Sequence, residues 1–170
     1  MSVVAVRVTN DEIIIGADSI LVTGYTQTKD KAAKLFETNG LIVGDVGFAQ
    51  EGSLFFLYCQ TRKPTAPTEL AVVEFMVEFG KWKDTKGDEL SIQNSYILIF
   101  EEKAFIVEGL FVKEITDFTA IGAGMDYALS ALYLGETVER AIEVACELSI
   151  YCERPINIKK VKKTNIKKKK

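Results

Sequence analysis

Ser2, Asp18 and Lys34 are the residues whose types and spacing could do chemistry: a hydroxyl beside the chain start, a carboxylate sixteen positions on and an amine sixteen further. The 170 residues include no histidine, which removes Ser-His-Asp and Cys-His catalysis, the usual zinc sets and the imidazole proton shuttle. A hydroxyl that attacks must then lose its proton to something else. A small residue at position 2 normally allows removal of Met1, which would expose Ser2 with a free α-amine. Such an amine titrates at about 7.7–8.0 in short peptides, so its neutral fraction can collect the hydroxyl proton. The chain start would supply both nucleophile and base. A nearby Lys34 ammonium would lower the amine pKa and favour a developing alkoxide, and Asp18 packed against it would keep the lysine charged and aimed. Main-chain N–H groups around Gly44 to Gly47 would hold an oxyanion, glycine permitting close backbone approach. Each residue also has an ordinary reading: a turn aspartate, a strand-edge lysine, a bulge and a bend. Their joint occurrence is what points to a site.

The elements that must position them follow from periodicity. Residues 3–8 read as a strand, Thr9-Asn10-Asp11 as a turn and residues 12–17 as the returning strand, which brings Asp18 back beside the first strand's start. Residues 18–33 are polar and irregular, with Gly24 as a breaker. Leu35-Phe36 and residues 41–44 pair around Asn39-Gly40, and Lys34 opens that pair. From Gln50 the spacing turns helical until Pro64; Thr68 then caps a second helix and Gly87 ends it. Residues 95–100, 104–107 and 117–121 are strand-like, with Glu101-Glu102-Lys103 as a tight turn. Residues 124–134 and 137–152 are helical, Thr137 being the cap, and residues 156–158 suggest a last short strand. Consecutive helix pairs do not fit a βαβ alternation. The expected class is α+β: a four-layer αββα sandwich, two mainly antiparallel sheets between helix pairs.

Composition bounds the reading. At 18.9 kDa, with 48% apolar and 26% charged residues, the chain fits one folded domain, expected over residues 1–158. No apolar run approaches the roughly 20 residues of a membrane helix, and the start carries no leader-like pattern, so a cytoplasmic protein without a membrane partner is expected. Cys59, Cys146 and Cys152 lack metal-like spacing and read as reduced, mostly buried thiols. Eight of the 21 basic residues fall in 159–170, a lysine-rich tail expected to be disordered; the remainder sets 13 basic against 24 acidic residues. So acidic a body argues against nucleic acid as the main ligand.

Taken together, the sequence resembles the proteasome β-type peptidases among the N-terminal-nucleophile (Ntn) hydrolases, and within them the bacterial HslV branch. The likeness rests on Ser2 before a Val-rich strand, Asp18 in Gly16-Ala17-Asp18-Ser19, Lys34 in Lys34-Leu35-Phe36 and Gly44 to Gly47 ahead of a helix. Ala120-Ile121-Gly122-Ala123-Gly124 precedes another helix with Tyr127-Ala128, and Ser149-Ile150-Tyr151-Cys152 closes the last. The resemblance implies Ser2, Asp18 and Lys34 as catalytic residues and Gly44, Gly47, Ala123 and Gly124 around the oxyanion and the amine. It implies Val22 and Ala49 near substrate, and no required cofactor; family members sometimes hold a monovalent or divalent ion, here beside Ser149 and Cys152. It further implies hydrolysis of unfolded polypeptide inside homo-oligomeric stacked rings, with an ATP-dependent unfoldase as partner. Apolar helix faces at Phe55-Phe56 and Phe75-Phe79 are compatible with subunit contacts. Two features depart from the pattern. Ala123 stands where the family commonly has a serine that orients the terminal amine, and the nucleophile is Ser instead of Thr, without the methyl that restricts χ1. They leave open a ring subunit that is structural or only weakly active, and, apart from the family, a small-ligand or scaffold protein sharing the sandwich.

Overall fold

The computed structural model describes residues 2–29 and 34–164. The chain opens with a hairpin of β1 (Val4–Val8) and β2 (Glu12–Ala17), turned by Thr9, whose hydroxyl accepts from the Glu12 N–H. A second hairpin, β3 (Ile20–Thr23) and β4 (Thr26–Lys29), occupies ground expected to be irregular. Next come β5 (Leu35–Thr38) and β6 (Leu41–Val46), α1 (Ala49–Cys59) and α2 (Glu69–Asp84). Strands β7 (Ser95–Phe100), β8 (Lys103–Glu108), β9 (Phe111–Ile115) and β10 (Phe118–Ile121) follow, then α3 (Met125–Tyr133), α4 (Val138–Leu148) and β11 (Asn157–Lys162).

Asn39 and Gly40 both take positive φ, the form a two-residue hairpin needs. Thr68 and Thr137 cap α2 and α4 by accepting from Ala71 and Arg140 N–H groups.

Two antiparallel sheets carry the fold, one ordered β10-β1-β2-β11 and the other β5-β6-β7-β8-β9. Alternation along β1 explains the layers. Val4 and Val6 face inward with Ile13 and Ile15 against Val46, Ile97 and Ile99 of the second sheet. Val3 and Ala5 face outward, where their small side chains let Ala128, Leu132, Ala141 and Ala145 of α3 and α4 approach. The second sheet buries Val43, Tyr96, Leu98 and Phe105 against Phe55, Met76 and Phe79 of α1 and α2. The result is the four-layer αββα sandwich.

Phe55, Phe75 and Phe79 therefore belong to this core and not to an outer face; of the residues named for subunit contacts only Phe56 is exposed. The last strand also differs from expectation. It extends through Lys162, the register Asn157↔Ala17 to Lys162↔Glu12 making β11 a full partner of β2, so the domain runs past 158. Lys159 is tied to Glu37 at 2.8 Å, and the tail beyond residue 164 lies outside the described residues.

Candidate active site

The β1–β2 register pairs Val4 with Ala17, so the next residue, Asp18, arrives beside Val3. Asp18 N–H donates to the Val3 carbonyl at 3.2 Å and Val3 N–H returns a bond to Asp18 Oδ1 at 2.9 Å. The same Oδ1 accepts from Lys34 Nζ at 2.7 Å, while Oδ2 accepts from the Ile20 and Glu153 N–H groups, each at 3.2 Å. Four donors thus fix one carboxylate that is 1% exposed. Lys34, 7% exposed, is drawn below its ordinary lysine pKa by burial, against the pull of Asp18. Ser2 is the neighbour of Val3 in the chain and is 4% exposed. The carboxylate and the amine are in contact, and Ser2 adjoins the Val3 that bonds the same carboxylate.

Ser2 is held from the other side by the turn after β10. Gly124, at the N-terminus of α3, donates its N–H to the Ser2 carbonyl at 3.1 Å. Gly122, at φ +95°, lies so close that a Cβ there would overlap the Ser2 carbonyl oxygen. Ala123 is exposed between them. A Cβ on Gly122 would also stand 3.2 Å from Val46 Cγ1, so the end of β6, where Gly47 follows, reaches the same corner. Gly47 has φ +142° and is exposed.

Gly44 sits within β6, three residues before Gly47. It is embedded between β5 and β7, paired with Leu35 and Ile97, and a Cβ there would strike Val4 Cγ1. Its glycine serves the close approach of the two sheets. Val22 is half-buried on β3, four residues past Asp18, and Ala49 is the exposed first residue of α1.

Ser149 ends α4, its hydroxyl accepting from Tyr151 N–H at 3.2 Å, and Cys152 Sγ backs onto Gly124. Burial pushes the Cys152 thiol up to about 11 and the Cys146 thiol up to about 12, so neither presents a thiolate to compete with a hydroxyl near neutral pH. Among the described residues, no three His, Cys, Asp or Glu side chains gather as a metal site. No helix among them is long and apolar enough to cross a membrane.

Sequence reasoning missed a second polar cluster behind the β6–α1 connection. Glu51 and Lys83 form a buried pair at 2.7 Å, and Glu51 also accepts from Tyr96 Oη at 2.9 Å and Asn94 N–H at 2.9 Å. Asn94 Nδ2 donates to Asp45 Oδ1 at 3.0 Å. Asp45 shares the parity of Leu41 and Val43 and so points toward α1. Burial raises its carboxyl to about 7, with Asn94 opposing, Glu51 reinforcing and Lys34 opposing.

The sequence matches no family model and no curated protein. Solved structures do match. BPH from Thiobacillus denitrificans, in complex with epoxomicin, is 20% identical, with TM-score 0.85 over 95% of this chain and 99% of that one. HslV from Trypanosoma brucei is 18% identical, TM-score 0.68, covering 94% and 99%. Anbu, an ancestral beta-subunit from Yersinia bercovieri, is 13% identical, TM-score 0.69, covering 95% and 81%. By architecture and by these neighbours, the chain has the proteasome β-type, HslV-like Ntn fold.

Proposed function

We propose that this chain is an N-terminal-nucleophile peptidase of the proteasome/HslV type, acting on unfolded polypeptide in the cytoplasm after loss of Met1. Ser2 Oγ attacks the scissile carbonyl while the Ser2 α-amine takes its proton. The tetrahedral oxyanion is received by the backbone N–H of Gly47. Collapse expels the leaving amine, which takes the proton, and leaves an acyl ester on Ser2; water, deprotonated by the same amine, then releases the acid. Lys34, held by Asp18, supplies positive charge beside the attacking oxygen. No cofactor enters this reaction, although an ion beside Ser149 and Cys152 would be compatible with it. Stacked homo-oligomeric rings fed by an ATP-dependent unfoldase complete the reading.

The observation that carries it is the shared use of Asp18 Oδ1 by Val3 N–H, one residue from the nucleophile, and by Lys34 Nζ. A structural ring subunit of little or no activity is the second reading, favoured by Ala123, which offers the amine no hydroxyl.

Met-trimmed protein is compared with Ser2→Ala and Lys34→Ala in peptide hydrolysis, and exposed to epoxomicin with intact-mass readout. Expected are a single adduct at Ser2 and loss of at least about a hundredfold in rate in either variant. The rate should rise with pH through the titration of the terminal amine. Equal rates in all three proteins, or no adduct on assembled rings, would remove the peptidase and leave the structural subunit.

A further inference from the structure

The connection from β6 to α1 is fastened by one side chain. Asn94, just ahead of β7 and 1% exposed, accepts from Phe48 N–H through Oδ1 at 2.6 Å and donates from Nδ2 to the Phe48 carbonyl at 3.0 Å. Its other Nδ2 hydrogen serves Asp45 Oδ1 at 3.0 Å. One donor faces Oδ1 and two acceptors face Nδ2, so the chemistry allows a single orientation of the amide. Gly47, between these two anchor points, lies at φ +142°, and a Cβ on it would overlap the Asn94 amide. Glycine alone suits this position, because its φ disfavours a side chain and the Asn94 amide fills the space a Cβ would take. Asn94 is itself fixed, because Glu51 accepts from its N–H and from Gln93 N–H while bonded to Tyr96 and Lys83.

We infer that Asn94 is a positioning residue for the oxyanion donor, holding the Gly47–Phe48 backbone against Asp45 so that the Gly47 N–H is set before substrate arrives. This rests on the peptidase reading. A misplacement of roughly 1 Å in such a group can cost on the order of a hundredfold in rate. Asn94 touches no substrate, so its loss should act on turnover and spare binding.

The test uses the full Met-trimmed chain with Asn94→Ala and Asn94→Asp. Expected for Asn94→Ala is kcat lower by roughly ten- to a hundredfold with KM within about threefold. Asn94→Asp sets a second carboxyl against Asp45 and the Phe48 carbonyl. Its activity relative to wild type should climb as pH falls, because a proton shared by the two carboxyls restores the contact. Hydrogen exchange at Phe48 should quicken at least about tenfold in Asn94→Ala. A folded Asn94→Ala with kcat within threefold of wild type, or unchanged exchange at Phe48, overturns the inference. Should Asn94→Ala not fold, the near-isosteric Asn94→Asp decides by its pH ratio, a flat ratio being the refuting result. Failure of the peptidase reading looks different: wild type and Ser2→Ala would then hydrolyse peptide equally, whatever Phe48 exchange shows.

Discussion

Replacing Asp45 with Asn should change how stability depends on pH, and the size follows from the burial of that carboxyl. Its ordinary pKa of 3.8 is raised to about 7 in the fold, chiefly by desolvation. Between those values the folded chain binds a proton that the unfolded chain has released. Stability of the wild type therefore falls as pH rises across that window, by about 1.4 kcal/mol per pH unit at the steepest. Across the whole window the ceiling is about 4 kcal/mol, and relaxation around a buried charge trims it, so about 2–4 kcal/mol is expected. The groups facing the carboxyl are Asn94, Glu51 and Lys34, with the Tyr96 phenol nearby. All of them remain in Asp45→Asn, so their titrations largely cancel in the difference between the two proteins. Whatever constant offset the lost charge brings, the variant should gain on the wild type from pH 4.5 to 7 and then run parallel to it. Urea denaturation at fixed protein concentration measures this, the concentration being held because assembly would add its own contribution. A difference constant within about 0.5 kcal/mol, the usual limit of additivity, or one that shrinks as pH rises, would refute the assignment of a reluctant acid at this position.

Gly122→Ala forces a side chain onto φ +95° and into the Ser2 carbonyl. A loss of about 1–3 kcal/mol from the backbone alone is expected in thermal or urea unfolding, with epoxomicin adduct formation slowed at least about tenfold; labelling at the wild-type rate would contradict the placement of Ser2 against this turn. Lys83→Met leaves Glu51 buried without its cation and should cost about 3–5 kcal/mol in the same unfolding assay, most of it recovered by adding Glu51→Gln; a loss below 1 kcal/mol would mean that the pair contributes little.

The parts of the fold written in local chemistry were legible. Thr9-Asn10-Asp11, Asn39-Gly40 and the threonines at 68 and 137 act through neighbours a few residues away, so turn and cap signals located them. Strands whose identity depends on a distant partner were not. Thr26-Gln27-Thr28-Lys29 has no apolar alternation and becomes β4 only by pairing with β3. Phe111 to Ile115 is an edge strand bonded to β8 alone, its Phe111 exposed. Lysines 159, 160 and 162 read as a solvated charge run, yet backbone pairing to β2 draws them into a sheet. The site divides in the same way. Ser2, Asp18 and Lys34 carry chemistry in their own side chains and could be found by type. Gly44 could be found as a glycine that must be one, but not for which neighbour. Asn94 announces nothing in sequence, because an asparagine matters here only through the Gly47–Phe48 backbone that the fold lays against it.

Two amines are candidates for the base in the proposed reaction, Lys34 Nζ and the Ser2 α-amine. Lys34 is drawn toward neutrality by burial, which at first sight recommends it. Its Nζ, however, lies 2.7 Å from an oxygen of Asp18 that also accepts from Val3 N–H, and Asp18 is pinned by two further donors and cannot follow a moving partner. Taking a proton from Ser2 would require Lys34 first to be neutral, giving up the charge that satisfies Asp18 inside the protein, where an unpartnered carboxylate is costly. In the proposed reaction the terminal amine takes up and releases the proton while Lys34 keeps its contact with Asp18. On this proposal the buried pair is a fixed source of field, and the mobile proton belongs to the chain's own start. In the proposed peptidase, that division of labour would let a protein without histidine use a hydroxyl nucleophile near neutral pH.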